Sequence, residues 1–144
     1  MNSSRKRRPG ELLAILHAAH AAEDEVESKL NAVGLSLAKL LALKALSEAG
    51  ESLPLGQLAD RLSCVKSNIT QLMDRLEADG LVARRPDPHD RRTKLAVLTA
   101  AGRRACQHGT RVHQEAERHL LGRLTPDEAR QLAALLARVG TRGE

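Results

Sequence analysis

Residues 53–98 read LPLGQLADRLSCVKSNITQLMDRLEADGLVARRPDPHDRRTKLAVL, and their hydrophobic period changes once along the way. Up to Asp79 the apolar residues recur at helical spacing. Leu55, Leu58, Ala59 and Leu62 predict a short helix; Ile69, Leu72, Met73 and Leu76, with Val65 near its start, predict a longer one. Gly80 supplies the break, because glycine just past a helix takes a left-handed conformation without steric cost. Two extended runs follow, LVARR and RTKLAVL, joined by PDPHDR, whose prolines and aspartates continue neither strand. Two helices followed by a hairpin predict a winged helix-turn-helix in a chain that is mainly α with a small β wing.

On the second helix the apolar positions leave Lys66, Ser67, Asn68, Thr70 and Gln71 on other faces. These are donors and acceptors suited to base edges and phosphates in a major groove, with Asn68 and Gln71 best equipped to read adenine. The turn of the hairpin is basic: Arg84, Arg85, Arg91, Arg92 and Lys94 stand against Asp87 and Asp90, a local net charge of +3. Exposed loops are commonly charged, so the wing alone decides little. Joined to a polar-faced helix directly upstream, a narrow positive hairpin predicts contact with duplex DNA, at phosphates or in a minor groove, with Arg84, Arg85, Arg91 and Lys94 as auxiliary phosphate contacts or internal salt-bridge partners.

The segment NITQLMDRLEADGLVARRPDPHDRRTKLAVLTAAG resembles the diagnostic stretch of MarR-type transcriptional regulators, in its DRLE, its glycine-led strand, the DxR of the wing and the LTxxG that opens the next helix. The helix order extends this resemblance over nearly all of the chain. It implies a homodimer that binds a palindromic operator, usually as a repressor released by a small molecule, an oxidant or, in one branch, a metal. It also places the wing aspartate and the minor-groove arginine on Asp90 and Arg92, and the recognition helix on about residues 66–78. One position departs from the pattern: the usual serine or threonine cap falls near Val65, which has no side-chain acceptor, and Ser63 is the nearest substitute.

The rest of the chain frames this reader. A length of 144 residues fits one domain. The expected division is a basic, disordered tail at 1–10 and a single domain at 11–144, with 53–98 as the winged helix-turn-helix. Leu12, Ile15, Leu16, Ala19, Ala22, Val26, Leu30 and Val33 form one apolar stripe on a long first helix. That stripe packs either in its own domain or against a second subunit. The resemblance favours the second subunit and assigns 11–34 and 123–141 to dimerisation. Residues 37–46 predict a helix buried on several sides, and 52–54 a short strand added to the wing sheet. Thr99 opens a helix to about Gly122, with Ala105, Val112, Ala116, Leu120 and Leu121 as its apolar face. Gly109 weakens that helix by about 1 kcal/mol unless close packing uses the missing side chain. Thr125, Pro126 and Glu128 form a helix-start signal ahead of Leu132, Leu135, Leu136 and Val139.

Composition excludes several alternatives. The chain has no Phe, Tyr or Trp, which removes the stacking platform of most single-strand and RNA-binding modules. Arg5, Lys6, Arg7 and Arg8 supply four of the formal net charge of +5, so the local wing charge is the better evidence for DNA. No long apolar run and no signal sequence occur, which predicts a cytoplasmic protein without membrane contact.

No catalytic constellation is present, and neither a cofactor nor a metal is expected. His17 and His20 lie three residues apart on the first helix, and metal binding there is weighed below interface or solvent contacts. Cys64, in the turn before the reader helix, reads first as a small hydrophobe and second as a thiol sensor; Cys106 is the weaker sensor candidate. His108, His113 and His119 do not share one helical face. Duplex DNA, a second subunit and a small-molecule effector are thus the expected partners, and a winged-helix adaptor without DNA binding is the alternative.

Overall fold

The leucine-rich run that begins at Leu37 packs against most of the other helices and strands. In the computed structural model, which describes residues 10–62 and 68–140, the chain forms α1 (Glu11–Asn31), α2 (Leu37–Glu48), β1 (Ser52–Pro54), α3 (Leu55–Arg61), α4 (Ile69–Ala78), β2 (Val82–Pro86), β3 (Lys94–Leu98), α5 (Ala100–Leu121) and α6 (Pro126–Gly140). This is the mainly α fold with a small β wing expected from the sequence. Ser36 caps α2 by accepting the Lys39 N–H at 3.1 Å. Leu40, Leu43 and Leu46 of α2 are wholly buried, together with Leu58, Met73, Leu76 and Val82 from α3, α4 and β2. Each such side chain contributes roughly 1.5–3 kcal/mol through burial.

The strands form one antiparallel sheet in the order β1-β3-β2. Ser52 lies opposite Val97, and Val82 opposite Leu98. The third strand expected at 52–54 is therefore present, and Pro54 is tolerated because β1 is an edge strand.

Helix α5 starts where the sequence placed it. The Thr99 hydroxyl accepts the Gly102 N–H at 3.0 Å and donates to the Gly80 carbonyl at 2.7 Å. Its buried face differs from expectation: Gly102, Cys106, Gly109 and Ala116 are buried, whereas Leu120 and Leu121 remain half-exposed. Small residues form this face because neighbouring elements approach closely. A Cβ on Gly109 would lie 2.7 Å from Leu35 Cδ1 and 2.8 Å from Leu40 Cδ1, so the missing side chain is used.

Helix α1 ends at Asn31, two residues before the predicted end at Val33. The Leu35 N–H turns back to the Leu30 carbonyl at 2.9 Å, with Gly34 at φ +78°. Only Leu30 of α1 is fully buried, and residues 11–20 are exposed throughout. Helix α6 begins with the Glu128 N–H donating to Thr125 Oγ1 at 3.2 Å, and it buries no residue. Among the described residues, no helix is long and apolar enough to cross a membrane.

Candidate nucleic-acid interface

Helix α4 is amphipathic in a simple way. Leu72, Met73 and Leu76 face the core, while Thr70, Gln71, Asp74 and Arg75 are exposed. The helix begins at Ile69, and Asn68 is its N-cap with extended backbone angles. Asn68 Oδ1 accepts the N–H of Thr70 at 3.0 Å and of Gln71 at 3.4 Å. In the DNA-free chain this amide oxygen, the one that two-point recognition of adenine would use, serves the cap. It also answers the missing cap at Val65. Thr70 and Gln71 remain as outward polar groups on the first turn. Lys66 and Ser67, like Ser63, Cys64 and Val65, lie outside the described residues.

The wing is shaped by its aspartates. Asp87 Oδ1 accepts the His89 N–H at 2.9 Å, and Asp90 Oδ1 accepts the Arg92 N–H at 3.0 Å. Asp90 Oδ2 also accepts the Thr93 hydroxyl at 3.2 Å, and the Thr93 N–H closes the turn on the Asp90 carbonyl at 3.0 Å. Asp90 therefore holds the backbone of Arg92 and leaves its guanidinium outside the turn. Arg85, Arg91, Arg92 and Lys94 are all exposed, and none forms an ion pair among the described residues.

Arg84 differs from these four. Its guanidinium turns inward onto α4, with Nη2 2.7 Å from Asp74 Oδ1 and 3.3 Å from the Thr70 carbonyl. The Arg84 backbone N–H donates to Glu77 Oε2 at 3.2 Å. The two acids of the DRLE motif thus fasten β2 to α4, while its leucine, Leu76, enters the core. Its arginine, Arg75, is exposed one turn beyond Gln71, without an ion pair among the described residues. Arg75 was missed in the sequence; the helical period, which puts it on the Gln71 side of α4, was the available signal. On that side a polar cleft of about 260 Å³ is lined by Ser36, Lys39, Gln71 and Arg75, and Lys39 Nζ pairs with Asp79 Oδ2 at 2.8 Å.

The remaining candidate groups do not converge. Among the described residues, no three His, Cys, Asp or Glu side chains are grouped to hold a metal ion, and His17 and His20 are both exposed. His119 of α5 instead meets Glu25 of α1, which also pairs with Lys29 at 3.3 Å. The His119 hydrogen bond holds the Glu25 carboxyl below its ordinary range, against the opposing effect of desolvation. Cys106 lines a cleft of about 530 Å³ between α2 and α5 with Lys44, Glu48, Arg103 and Arg111. Burial pushes its thiol up, partly offset by a hydrogen bond from Thr110 and by the Lys44 charge.

Known proteins share this arrangement. The family model described as "MarR family" matches residues 33–93. The uncharacterised helix-turn-helix regulator YkoM of Bacillus subtilis is 30% identical over 84% of this chain and 75% of its own length. The crystal structure of a probable transcriptional regulator from Pseudomonas aeruginosa superposes with a TM-score of 0.81 at 27% identity, covering 91% of this chain and 97% of that one. A cysteine-to-serine mutant of Escherichia coli MarR, solved with operator DNA, has the same fold, with a TM-score of 0.79 at 24% identity over 98% of this chain and 100% of that one. The chain therefore belongs to the MarR family of winged helix-turn-helix transcriptional regulators, which bind DNA.

Proposed function

We propose that two copies of this chain associate through α1 and α6 and repress transcription by occupying an inverted-repeat operator. The observation that carries the DNA contact is the coexistence of the outward polar turn of α4 with four exposed cations, Arg85, Arg91, Arg92 and Lys94, free of ion pairs among the described residues. Thr70 and Gln71 supply base contacts in the major groove, with Lys66 and Ser67 beside them. Arg75 adds a phosphate contact. Asn68 contributes its cap and its outward amide group.

Arg92, its backbone held by Asp90, enters the minor groove, and Arg85, Arg91 and Lys94 contact phosphates. A two-fold dimer would set its α4 helices about 34 Å apart, one helical turn of DNA. The assignment of 11–34 and 123–141 to dimerisation is supported by the exposed apolar residues of those segments, including Leu12, Leu13 and Leu16 on α1 and Leu132, Leu135 and Val139 on α6. Residues 11–144 then act as one domain whose terminal segments are completed by the partner. An effector has room in the cleft between α2 and α5, where Lys44 and Arg111 outnumber Glu48 and favour an anion, Arg103 being paired with Glu51 at 2.7 Å. Its binding would alter the spacing of the two readers.

The test is selection from randomised duplex DNA across a salt series, with protein of known oligomeric state. Recovery of a palindrome bound by one dimer, with steep salt dependence, supports the proposal. Arg92→Ala in a folded dimer removes one cation from each subunit and is expected to weaken binding and reduce the log–log salt slope by about 1.8. No enrichment together with a stable heteromeric partner would turn the reading toward a protein-binding adaptor.

A further inference from the structure

We infer that Arg84 is a positioning residue for the reader helix and not one of the wing's phosphate contacts. The inference rests on the DNA-binding reading above and concerns a residue that the sequence leaves open between a phosphate contact and an internal salt bridge. Arg84 lies in a run of wing cations, yet its side chain is only 28% exposed. Its contacts fall at three points along α4: the Thr70 carbonyl, the Asp74 carboxylate, and Glu77, which accepts the backbone N–H and stands 4.0 Å from Nη1. Thr70 to Glu77 spans about 10 Å of helix at 1.5 Å per residue. A planar guanidinium held at two of these points, with the β2 backbone held at the third, fixes both the tilt and the axial position of α4 against the strand.

Arg84 is paired with Ala96 of the central strand, so the brace connects α4 to the middle of the wing sheet. On the other side of α4, Lys39 of α2 holds Asp79. The reader is thus fastened from both flanks. If Arg84 swung out to a phosphate, it would leave Asp74 unneutralised near a polyanion, so the observed pairing opposes that movement.

Three full-length variants separate the two roles: Arg84→Gln, Arg84→Lys and Asp74→Asn. Their affinities for the selected operator and for an unrelated duplex are measured across a salt series, with hydrogen exchange of the free proteins in parallel. Positioning predicts that each variant loses three- to ten-fold in operator affinity while affinity for the unrelated duplex and the salt slope are kept. Asp74→Asn is decisive in sign, because removing an acid near DNA would otherwise tighten binding. Lysine carries the charge without the fork, so Arg84→Lys is expected to remain impaired. Residues 69–78 should exchange faster in all three variants.

Tighter binding by Asp74→Asn, or rescue by Arg84→Lys with a slope reduced by about 1.8 for the dimer in Arg84→Gln, would overturn the inference and make Arg84 a phosphate contact. Unchanged exchange across 69–78 would overturn it as well. Failure of the unmodified protein to select any duplex would instead sink the DNA-binding reading, while the exchange measurement still judges the brace.

Discussion

The carbonyl oxygen of Leu81 occupies the place where Gly102 would carry a side chain: a Cβ built on Gly102 lies 2.1 Å from that oxygen. The oxygen cannot easily retreat, because it accepts the Thr99 N–H at 3.1 Å. The first turn of α5 and the first residues after Gly80 are therefore in direct backbone contact. Gly102→Ala is expected to destabilise the protein by about 1–3 kcal/mol in urea unfolding, the range for forcing atoms into a packed site. Gly109→Ala makes the internal comparison. Its added methyl meets only the ends of Leu35 and Leu40, which can change rotamer, and the gain in helix propensity of about 1 kcal/mol offsets part of the clash. Equal losses for the two variants would contradict this distinction.

Asn68 can be probed without disturbing the core. Asn68→Ala removes the acceptor for the Thr70 and Gln71 amides and is expected to cost about 1 kcal/mol. Asn68→Asp keeps an acceptor at the helix N-terminus, so thermal stability should hold, while duplex affinity should fall because a carboxylate would face phosphates. An aspartate variant as unstable as the alanine variant would show that the cap is not what Asn68 contributes.

The apolar faces of α1 and α6 make a prediction about assembly. Leu16 is 46% exposed and Leu135 55% exposed in the single subunit, so charging them should change protomer stability by no more than about 0.5 kcal/mol. Leu16→Glu and Leu135→Glu are each expected to shift sedimentation from dimer toward monomer and to lower operator affinity. Variants that remain fully dimeric would place the interface elsewhere.

Glu25 gives the α1–α5 contact a pH dependence. Its folded carboxyl binds a proton less readily than the free group, whose ordinary value is 4.5. The contact therefore contributes fully above that value and is lost as pH falls through the lower folded value. The stability difference between the unmodified protein and Glu25→Gln should shrink on acidification below about pH 5. A difference that stays constant through this window would show that the His119 contact does not set the carboxyl's affinity for its proton.

Local signals in the sequence were legible where the physics was local. The period change at Gly80 marked the passage from helix to wing, and Thr99 and Thr125 each cap a helix through an amide three residues ahead. Asn68 was harder, because an asparagine beside an amphipathic run suits a cap and a base contact equally well. The buried face of α5 escaped a hydrophobicity reading because two of its residues, Gly102 and Gly109, matter through the side chains they lack. Arg84 resembled its neighbours in sequence, and only the packing of β2 on α4 separates it from them. The wing charge read as +3 thus includes one cation already neutralised inside the protein.

The pairing of β1 with β3 sets a lower limit on what can be transplanted. Glu51 accepts the Leu98 N–H at 2.7 Å, and Ser52 lies opposite Val97. At the other end, the Thr99 hydroxyl and Gly102 close on Gly80 and Leu81. A chimera that exchanged only residues 53–98 would cut the sheet at one boundary and remove the helix lock at the other. A swap of DNA specificity between relatives would need a cassette starting no later than Glu51 and ending no earlier than Gly102.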